Sequence, residues 1–244
     1  MMRTFAIGDI HGGLKALLQV LNKLELQEGD KLIFMGDYVD GWSESSHVIR
    51  LLIKLSQNFD CVFIKGNHDV WCLNWLKDSN DVNPSWYLHG GKETMESYAG
   101  FSEKEKQEHL TFLENLTLYF IDEENRLFLH AGFTSLHGVK RERYQEYFYL
   151  DRSLWEMLVS MDKNIGKDSV FYPKRIQHYK EIYIGHTPTT NYNEPNPMNI
   201  ANVWNVDTGA AFKGRITGLN IDTKEFVQSD ELPKLYPNET GRNK

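Results

Sequence analysis

Three early segments of the chain repeat one pattern: an apolar run, then a polar corner containing glycine, then residues at helical spacing. The apolar runs end at Gly8, Gly36 and Gly66, and in the first unit leucines recur at helical intervals between Leu14 and Leu21. Repeated units of this kind predict parallel strands whose faces are covered by helices. Ligands of such sheets bind at the carboxyl ends of the strands, so a functional site is expected at the glycine corners.

The rest of the chain adds further helices and strands. Residues 92–116 predict a helical insert, residues 151–162 predict a helix, and residues 118–122 and 126–133 predict two strands joined by a tight acidic turn. Four segments between residues 181 and 231 alternate like antiparallel strands, and the tail, about residues 232–244, is expected to be frayed. Together these segments predict an α/β protein with one domain over residues 1–244, in which strand-rich halves stack as a sandwich with helices outside.

Composition excludes several classes of partner. The formal net charge is −7, which does not suit a protein that must neutralise the phosphates of a nucleic-acid polymer. No apolar run approaches the roughly 18 residues of a membrane span, and the apolar stretch near the start is too short for a signal peptide. Cys61 and Cys72 are the only cysteines, and we expect both to be reduced. These features predict a cytoplasmic protein without a membrane partner.

Side chains that can bind metal follow five of the predicted strands. A single Gly-Asp corner is an ordinary turn, but turn chemistry alone does not explain five corners that all carry ligand chemistry. Carboxylate, amide and imidazole groups suit Mn, Fe or Zn. A shared carboxylate could bridge two ions roughly 3.5–4 Å apart, as in two-metal phosphoryl chemistry. The candidate residues at these corners are Asp9, His11, Asp37, Asp40, Asn67, His68, His130 and His186.

The ordered motifs GDIHG, GDYVDG, GNHD, HAG and GHT resemble the calcineurin-like metallophosphoesterases, in particular their bacterial Ser/Thr protein phosphatase-like branch. The resemblance runs from about Phe5 to Leu219. It implies a four-layer α-β-β-α sandwich of two mixed sheets with a dinuclear metal site at the strand ends. It also implies two divalent metal ions as cofactors, with Mn expected and Fe or Zn as alternatives.

The resemblance further implies a role for each corner residue. His68 is the candidate general acid for the leaving alcohol, and Asp40 orients it and is expected to raise its pKa. The alternative for His68 is a purely structural hydrogen bond. The implied metal ligands are Asp9 and His11 for the first ion, Asp37 as the bridge, and Asn67, His130 and His186 for the second ion.

The chain departs from the family pattern where that family binds phosphate. Gly41 stands where the family usually has an arginine, and Glu156 and Met157 follow Trp155 where a second arginine is common. Arg152 is therefore the candidate substrate-binding cation, because a guanidinium can bind phosphate through two hydrogen bonds. The alternative is that it is a solvated surface charge. Other candidates are Lys92, Arg141 and Arg143.

Trp42 follows directly after the altered corner. Beside a dinuclear site its indole could stack on a nucleobase or a phenyl ring, which makes Trp42 a second candidate for substrate binding. The alternative is that Trp42 closes the loop against the core.

The sequence thus predicts a metal-dependent hydrolase that acts on phosphate monoesters, similar to phosphoprotein Ser/Thr phosphatases, through a metal-activated hydroxide. Its partner is then a phosphorylated substrate. The alternative enzyme is a nucleotide hydrolase similar to the bis(5'-nucleosyl)-tetraphosphatases, since that group shares the same corners. A non-catalytic scaffold is disfavoured, because such a protein should lose metal ligands first and all six are present.

Overall fold

A computed structural model describes residues 3–80 and 82–243. In these ranges the chain forms ten strands, which make up two five-stranded mixed sheets. Their bounds are β1 Thr4–Ile7, β2 Lys31–Phe34, β3 Asp60–Phe63, β4 Tyr119–Ile121, β5 Arg126–Leu129, β6 Glu181–Ile184, β7 Met198–Ile200, β8 Val203–Asn205, β9 Thr217–Asn220 and β10 Phe226–Gln228.

The first sheet has the order β10-β9-β1-β2-β3, and the second has the order β4-β5-β6-β8-β7. Strands β1, β2 and β3 pair in parallel, as the repeated units predict, while β9 is antiparallel to both β1 and β10. In the second sheet β5, β6 and β8 are parallel, and β4 and β7 are antiparallel edge strands. The antiparallel prediction for residues 181–231 is therefore wrong for β6 and β8.

Helices cover the outer faces of the two sheets. The α-helices of the described ranges are α1 Leu14–Leu24, α2 Ser45–Leu55, α3 Asn67–Lys77, α4 Pro84–Trp86, α5 Lys92–Ser97, α6 Glu103–Glu114, α7 Tyr147–Leu150, α8 Ser153–Ser160 and α9 Leu232–Leu235. None of the helices in this part of the chain has the length and apolar character that a membrane crossing requires.

Alternate residues of the central strands pack on opposite faces of the sheet. In β2, Leu32 and Phe34 belong to the core under the helices, while Ile33 packs between the sheets. In β5, Leu127 likewise faces the outer helices and Phe128 faces the other sheet. Because a strand buried on both faces must be apolar throughout, these strands lack the usual alternation of polar residues. The four-layer α-β-β-α sandwich is confirmed.

The tail is more ordered than the sequence suggests. Leu232 and Tyr236 are buried, and residues 232–235 form α9. We call residues 232–243 the tail segment. The prediction of a frayed tail is wrong for these residues, and Lys244 lies outside the described residues. The insert begins earlier than predicted, because α4 and a wide turn over Tyr87–Gly91 precede α5 and α6.

Candidate dinuclear metal centre

The predicted ligand corners converge at one edge of the two sheets. His11 Nε2 lies 3.6 Å from Asp37 Oδ2 and 3.9 Å from Asp9 Oδ2, and His130 Nε2 lies 3.4 Å from the same Asp37 oxygen. Asp37 forms one cluster of possible ligands with His11 and His68 and another with His130 and His186, and in each cluster the ligand atoms lie within 4.8 Å of one another. Asp37 therefore lies where a carboxylate shared by two cations would have to lie.

The backbone is strained at several of these corners. His11, Asp37, Asp40 and His186 have φ angles of 52°, 51°, 72° and 67°, in the left-handed region that residues other than glycine seldom adopt. Each such residue costs on the order of 1–3 kcal/mol. Strain of this kind at three strand ends is typical of a functional site, where the positions of the side chains matter more than local stability.

Hydrogen bonds fix the tautomer of two candidate ligands. His130 Nδ1 lies 2.7 Å from the carbonyl oxygen of Met35, and His11 Nδ1 lies 2.9 Å from that of Asp40. A carbonyl oxygen can only accept, so each Nδ1 donates its proton. In the neutral form of each imidazole, the lone pair of Nε2 then faces the cluster, as in histidines that bind metals.

Buried ligand atoms without partners indicate what the site is built to hold. An unpaired buried polar atom costs about 1–3 kcal/mol, so several at one place call for an explanation. Two oxygens and two imidazole nitrogens of this kind are the donor set that Mn, Fe or Zn prefers. The residues present therefore fit a pair of divalent cations. Within the described residues, the atoms that lack a hydrogen-bond partner include Asp9 Oδ1, Asn67 Oδ1, His130 Nε2 and His186 Nε2.

The electrostatics also favour positive charge at the cluster centre. Burial lowers the pKa of His130, but the carboxylates of Asp37 and Asp9 outweigh it and raise that pKa to about 10. A cation bound at His130 Nε2 would therefore displace a proton from that atom. Burial opposes ionisation of Asp37, yet His130 and His68 hold the pKa of Asp37 well below its usual range. By contrast, burial lowers the pKa of His11 to about 3, so His11 is neutral and its lone pair is available to a metal.

Asp69 connects two of the corners, although the sequence analysis gave it no role. Its carboxylate accepts hydrogen bonds from the backbone N–H groups of Asp37 and Tyr38, each at 2.9 Å, and from that of Gly66 at 2.8 Å. Asp69 thereby fixes the positions of the corners after β2 and β3 relative to each other. Its position directly after His68 in the GNHD motif is the only sequence signal for this role.

The predicted dyad is present: His68 Nδ1 lies 2.6 Å from Asp40 Oδ2. Two residues of the insert, which the sequence analysis missed, complete the surroundings of Asp40. The indole N–H of Trp86 donates to Asp40 Oδ2 at 2.7 Å, and the Thr94 hydroxyl donates to Asp40 Oδ1 at 2.7 Å. The insert therefore holds the carboxylate that orients His68. Trp86 is the last residue of α4, and Thr94 lies in α5.

One electrostatic expectation for this dyad is wrong. Burial lowers the pKa of His68 to about 3 and raises the pKa of Asp40 well above its usual range. Asp40 therefore does not raise the pKa of the imidazole as expected. Burial thus favours the neutral form of each partner.

Trp42 does not contact a substrate, so that prediction also needs correction. Its side chain is fully buried, its indole N–H donates to the Ala210 carbonyl at 2.7 Å, and its ring stacks on Tyr236 at 5.2 Å between centroids. Trp42 instead closes the loop against the core, which was the alternative interpretation.

A cavity of about 280 Å³ opens beside the cluster, and Asp37, His68 and His186 are among its lining residues. The exposed side chain of Arg152 also lines it, together with Arg242 of the tail segment, which the sequence analysis did not consider. The other predicted cations are not among the lining residues. Lys92 lies 3.7 Å from the carboxylate of Glu96, and Arg141 and Arg143 are exposed elsewhere.

Comparison with known families identifies the class of protein. The model of the calcineurin-like phosphoesterase family matches residues 2–211. The chain belongs to the calcineurin-like phosphoesterase family. Members of this family are metal-dependent phosphoester hydrolases with a dinuclear divalent metal site, and the His and Asp clusters of this calcineurin-like phosphoesterase agree with that chemistry.

Relatives of this calcineurin-like phosphoesterase carry more specific names. The chain is 29% identical to the asymmetrical bis(5'-nucleosyl)-tetraphosphatase PrpE of Oceanobacillus iheyensis, over 93% of this chain and 91% of the relative. It is 28% identical to the protein of the same name from Anoxybacillus flavithermus, over 95% and 94% of the two chains. A protein serine/threonine phosphatase from Saccharomyces cerevisiae shares the fold, with a TM-score of 0.58 and 14% identity over 94% of this chain and 80% of that one.

Proposed function

We propose that the protein hydrolyses dinucleoside polyphosphates asymmetrically, at a dinuclear centre held by Asp9, His11, Asp37, Asn67, His130 and His186. The observation that carries this proposal is the shared position of Asp37 in both ligand clusters, beside the His68–Asp40 dyad in one cavity. The relatives named as asymmetrical tetraphosphatases support this substrate class, because they match along nearly the whole chain.

The candidate ligands set the chemistry of the first step. Two bound divalent cations would lower the pKa of a water and neutralise phosphoryl oxygens. Asp37 would serve both ions, and Nε2 of His11 and of His130 faces the cluster because each Nδ1 donates its proton to a carbonyl group. Mn is the metal we expect, and Fe and Zn suit the same donors.

His68 and Asp40 supply the proton for the departing oxygen. Because Asp40 Oδ2 is hydrogen-bonded to His68 Nδ1, the imidazole can release a proton from Nε2 while Nδ1 keeps the proton that it shares with Asp40. The dyad thus loses one proton in total, and the leaving oxygen gains it. Trp86 and Thr94 then stabilise the carboxylate that remains, since both donate hydrogen bonds to it.

Arg152 is our candidate for a further contact to the substrate. Its exposed side chain lines the cavity, and a guanidinium there can bind a phosphate of the polyphosphate chain through two hydrogen bonds. Within the part of the chain that the structure describes, Arg152 forms no ion pair with an acidic residue that would compete for this role.

Hydrolysis of phosphate monoesters is the second candidate function. The size of the cavity, about 280 Å³, favours it, because a space of this size encloses a phosphoryl group more readily than a whole nucleotide. On a dinucleotide substrate, the nucleoside beyond the reacting phosphate would therefore extend outside the cavity.

Product analysis tests both candidates. The protein, loaded with Mn, is incubated with diadenosine tetraphosphate, 4-nitrophenyl phosphate and a phosphoserine peptide, and the products are separated by chromatography. We expect ATP and AMP from diadenosine tetraphosphate. Release of two ADP molecules would contradict asymmetrical cleavage. Turnover of the monoesters alone would favour the second candidate, and no turnover of any substrate would refute both.

A further inference from the structure

The corner after β2 cannot readily carry the arginine that the family resemblance leads one to expect. Gly41 has a φ angle of +126°, which an L side chain adopts only with strain. A Cβ atom built on Gly41 would lie 3.4 Å from Arg242 Cγ and 3.4 Å from the carbonyl oxygen of His11. The space that a side chain at position 41 would enter is thus bordered by the side chain of Arg242, which comes from the tail segment.

The guanidinium of Arg242 lies beside the candidate metal centre. It lines the same cavity as Asp37 and His68, and its Cζ lies 5.4 Å from the ring centroid of Phe212. Burial lowers the pKa of Arg242, while Asp37 and Asp40 act to raise it, so the charge is held close to those carboxylates. Among the described residues its buried Nε atom has no hydrogen-bond partner.

The residues after Gly41 form a docking surface for the tail segment. Trp42 stacks on Tyr236 at 5.2 Å between centroids, and the Tyr236 hydroxyl donates a hydrogen bond to Glu44. The backbone N–H and the hydroxyl of Ser43 donate to the carboxylate of Glu239 at 3.0 and 2.8 Å. The residues that directly follow the altered corner at Gly41 are therefore the ones that contact the tail segment.

The last turn of the tail segment fixes the position of Arg242. Gly241 has a φ angle of +57°, and a Cβ atom there would lie 2.7 Å from Trp42 Cζ2 and 2.9 Å from the carbonyl oxygen of Ala211. The backbone N–H of Arg242 donates to the same Ala211 carbonyl at 2.9 Å. A side chain at position 241 would clash with Trp42 and with the Ala211 carbonyl, so glycine is needed there. With this turn in place, the next residue, Arg242, lies at the cavity.

We propose that Arg242 binds the phosphoryl oxygens of the substrate and that the docked tail segment thereby completes the site. The identity of the ligand rests on the proposed function, since a guanidinium beside two cations suits a phosphate ester. The alternative is a structural role, in which Arg242 only packs the tail against Phe212 and supports the fold.

Titration with inorganic phosphate separates these two roles without relying on turnover. Phosphate is titrated calorimetrically into Mn-loaded wild-type protein and into the Arg242→Ala and Arg242→Gln variants, and metal content and melting temperature are measured in parallel. Loss of a charge-assisted double hydrogen bond should weaken phosphate binding roughly ten- to a hundredfold. Metal content should stay at the wild-type level.

Arg215→Ala is the matched control, because Arg215 is paired with Glu231 at 2.8 Å and does not line the cavity. Its phosphate affinity should equal that of the wild type. Arg242→Lys keeps the charge but loses the planar fork, so it should recover only part of the affinity.

Three outcomes would overturn the proposal. One is wild-type protein that does not bind phosphate. Another is a folded, metal-loaded Arg242→Gln variant whose phosphate affinity lies within about twofold of the wild type. The third is a loss of melting temperature and metal in all Arg242 variants without a selective loss of phosphate affinity. Phosphate binding that depends on Arg242, in a protein that hydrolyses none of the tested substrates, would refute the proposed function and leave this inference intact.

Discussion

The two sides of the candidate site are assembled in different ways. The ligand side consists of corners that directly follow strands, so that Asp9 lies two residues after β1 and His130 lies directly after β5. The opposite side is brought together from distant parts of the chain: Trp86 and Thr94 come from the insert and Arg242 from the tail segment. The ligand side is thus determined by the sheets, whereas the other side depends on how separate segments dock onto them.

This difference has consequences for energetics. A corner that follows a buried strand is fixed once the sheet forms, and its strain is compensated by the packing of that sheet. The position of a residue on a docked segment, such as Arg242 beside Gly41, depends instead on the contacts that hold that segment. We therefore expect changes on the ligand side to abolish activity and changes on the docked side to reduce it.

The largest effect should follow removal of the metals. Exhaustive chelation should abolish hydrolysis, because the six candidate ligands would then hold nothing that activates water. Activity is measured in metal-free buffer before and after Mn is added back, and recovery with Mn but not with Ca would be the matched control. Full activity after chelation would contradict the claim that the ligand side acts by binding metal ions.

His68→Asn should have the next largest effect. The variant loses the group that protonates the leaving oxygen, and the rate with diadenosine tetraphosphate or an alkyl phosphate should fall by roughly 10² to 10⁴. An aryl phosphate with an activated leaving group needs little protonation and should lose less. Metal content should remain at the wild-type level. Equal losses on both kinds of substrate would instead show that His68 only positions the substrate.

Trp86→Phe should have an intermediate effect. The variant keeps an aromatic ring but loses the indole N–H that donates to Asp40 Oδ2. A hydrogen bond to a buried carboxylate contributes about 1.5–3 kcal/mol, so the turnover rate should fall by about tenfold or more. The control is Trp75→Phe. The ring centroid of Trp75 lies 5.8 Å from that of Trp86, but the indole that donates a hydrogen bond to Asp40 is that of Trp86. Equal rates for the two variants would argue against the role of the insert in holding the dyad.

Ser43→Ala should have the smallest effect. It removes an exposed hydroxyl that donates to Glu239, while the stacking of Trp42 on Tyr236 remains. One such bond at the surface contributes on the order of 0.2–1 kcal/mol, so phosphate affinity should fall by about fivefold at most. Asn238→Ala, in the exposed part of the same segment, is the control. A loss as large as that of Arg242→Ala would mean that tail docking is marginal.

The sequence allowed the ligand side to be predicted because its signal is local. Each candidate ligand lies beside a glycine at the end of an apolar run, and parallel strands must end at the same edge of the sheet. The four-layer fold followed from the same units together with the family resemblance. By contrast, the apparent alternation in residues 181–231 suggested antiparallel strands, although β6 and β8 pair in parallel. Such a pattern does not determine the direction in which two strands pair.

The docked side could not be predicted, because its contacts join residues far apart in the sequence. The tail appeared frayed from its proline, asparagine and glycine residues, yet Tyr236 packs on Trp42 nearly two hundred residues earlier. Similarly, nothing near Asp40 in the sequence shows that Trp86 donates to it. The absence of arginines at position 41 and after Trp155 was a local signal of a replacement, but it did not indicate where the replacement comes from.

Metal stoichiometry tests the central claim most directly, namely that Asp37 is shared by two cations. Wild-type protein and Asp37→Asn are purified, loaded with Mn, dialysed and analysed by plasma mass spectrometry. The control is Asp60→Asn, which removes an exposed carboxylate of β3 that pairs with Lys31 and keeps every candidate ligand. We predict two equivalents of metal in the wild type, about two in Asp60→Asn, and a loss of both ions in Asp37→Asn because each cluster contains that carboxylate. Retention of two equivalents by Asp37→Asn, or fewer than one equivalent in the wild type, would contradict the shared centre.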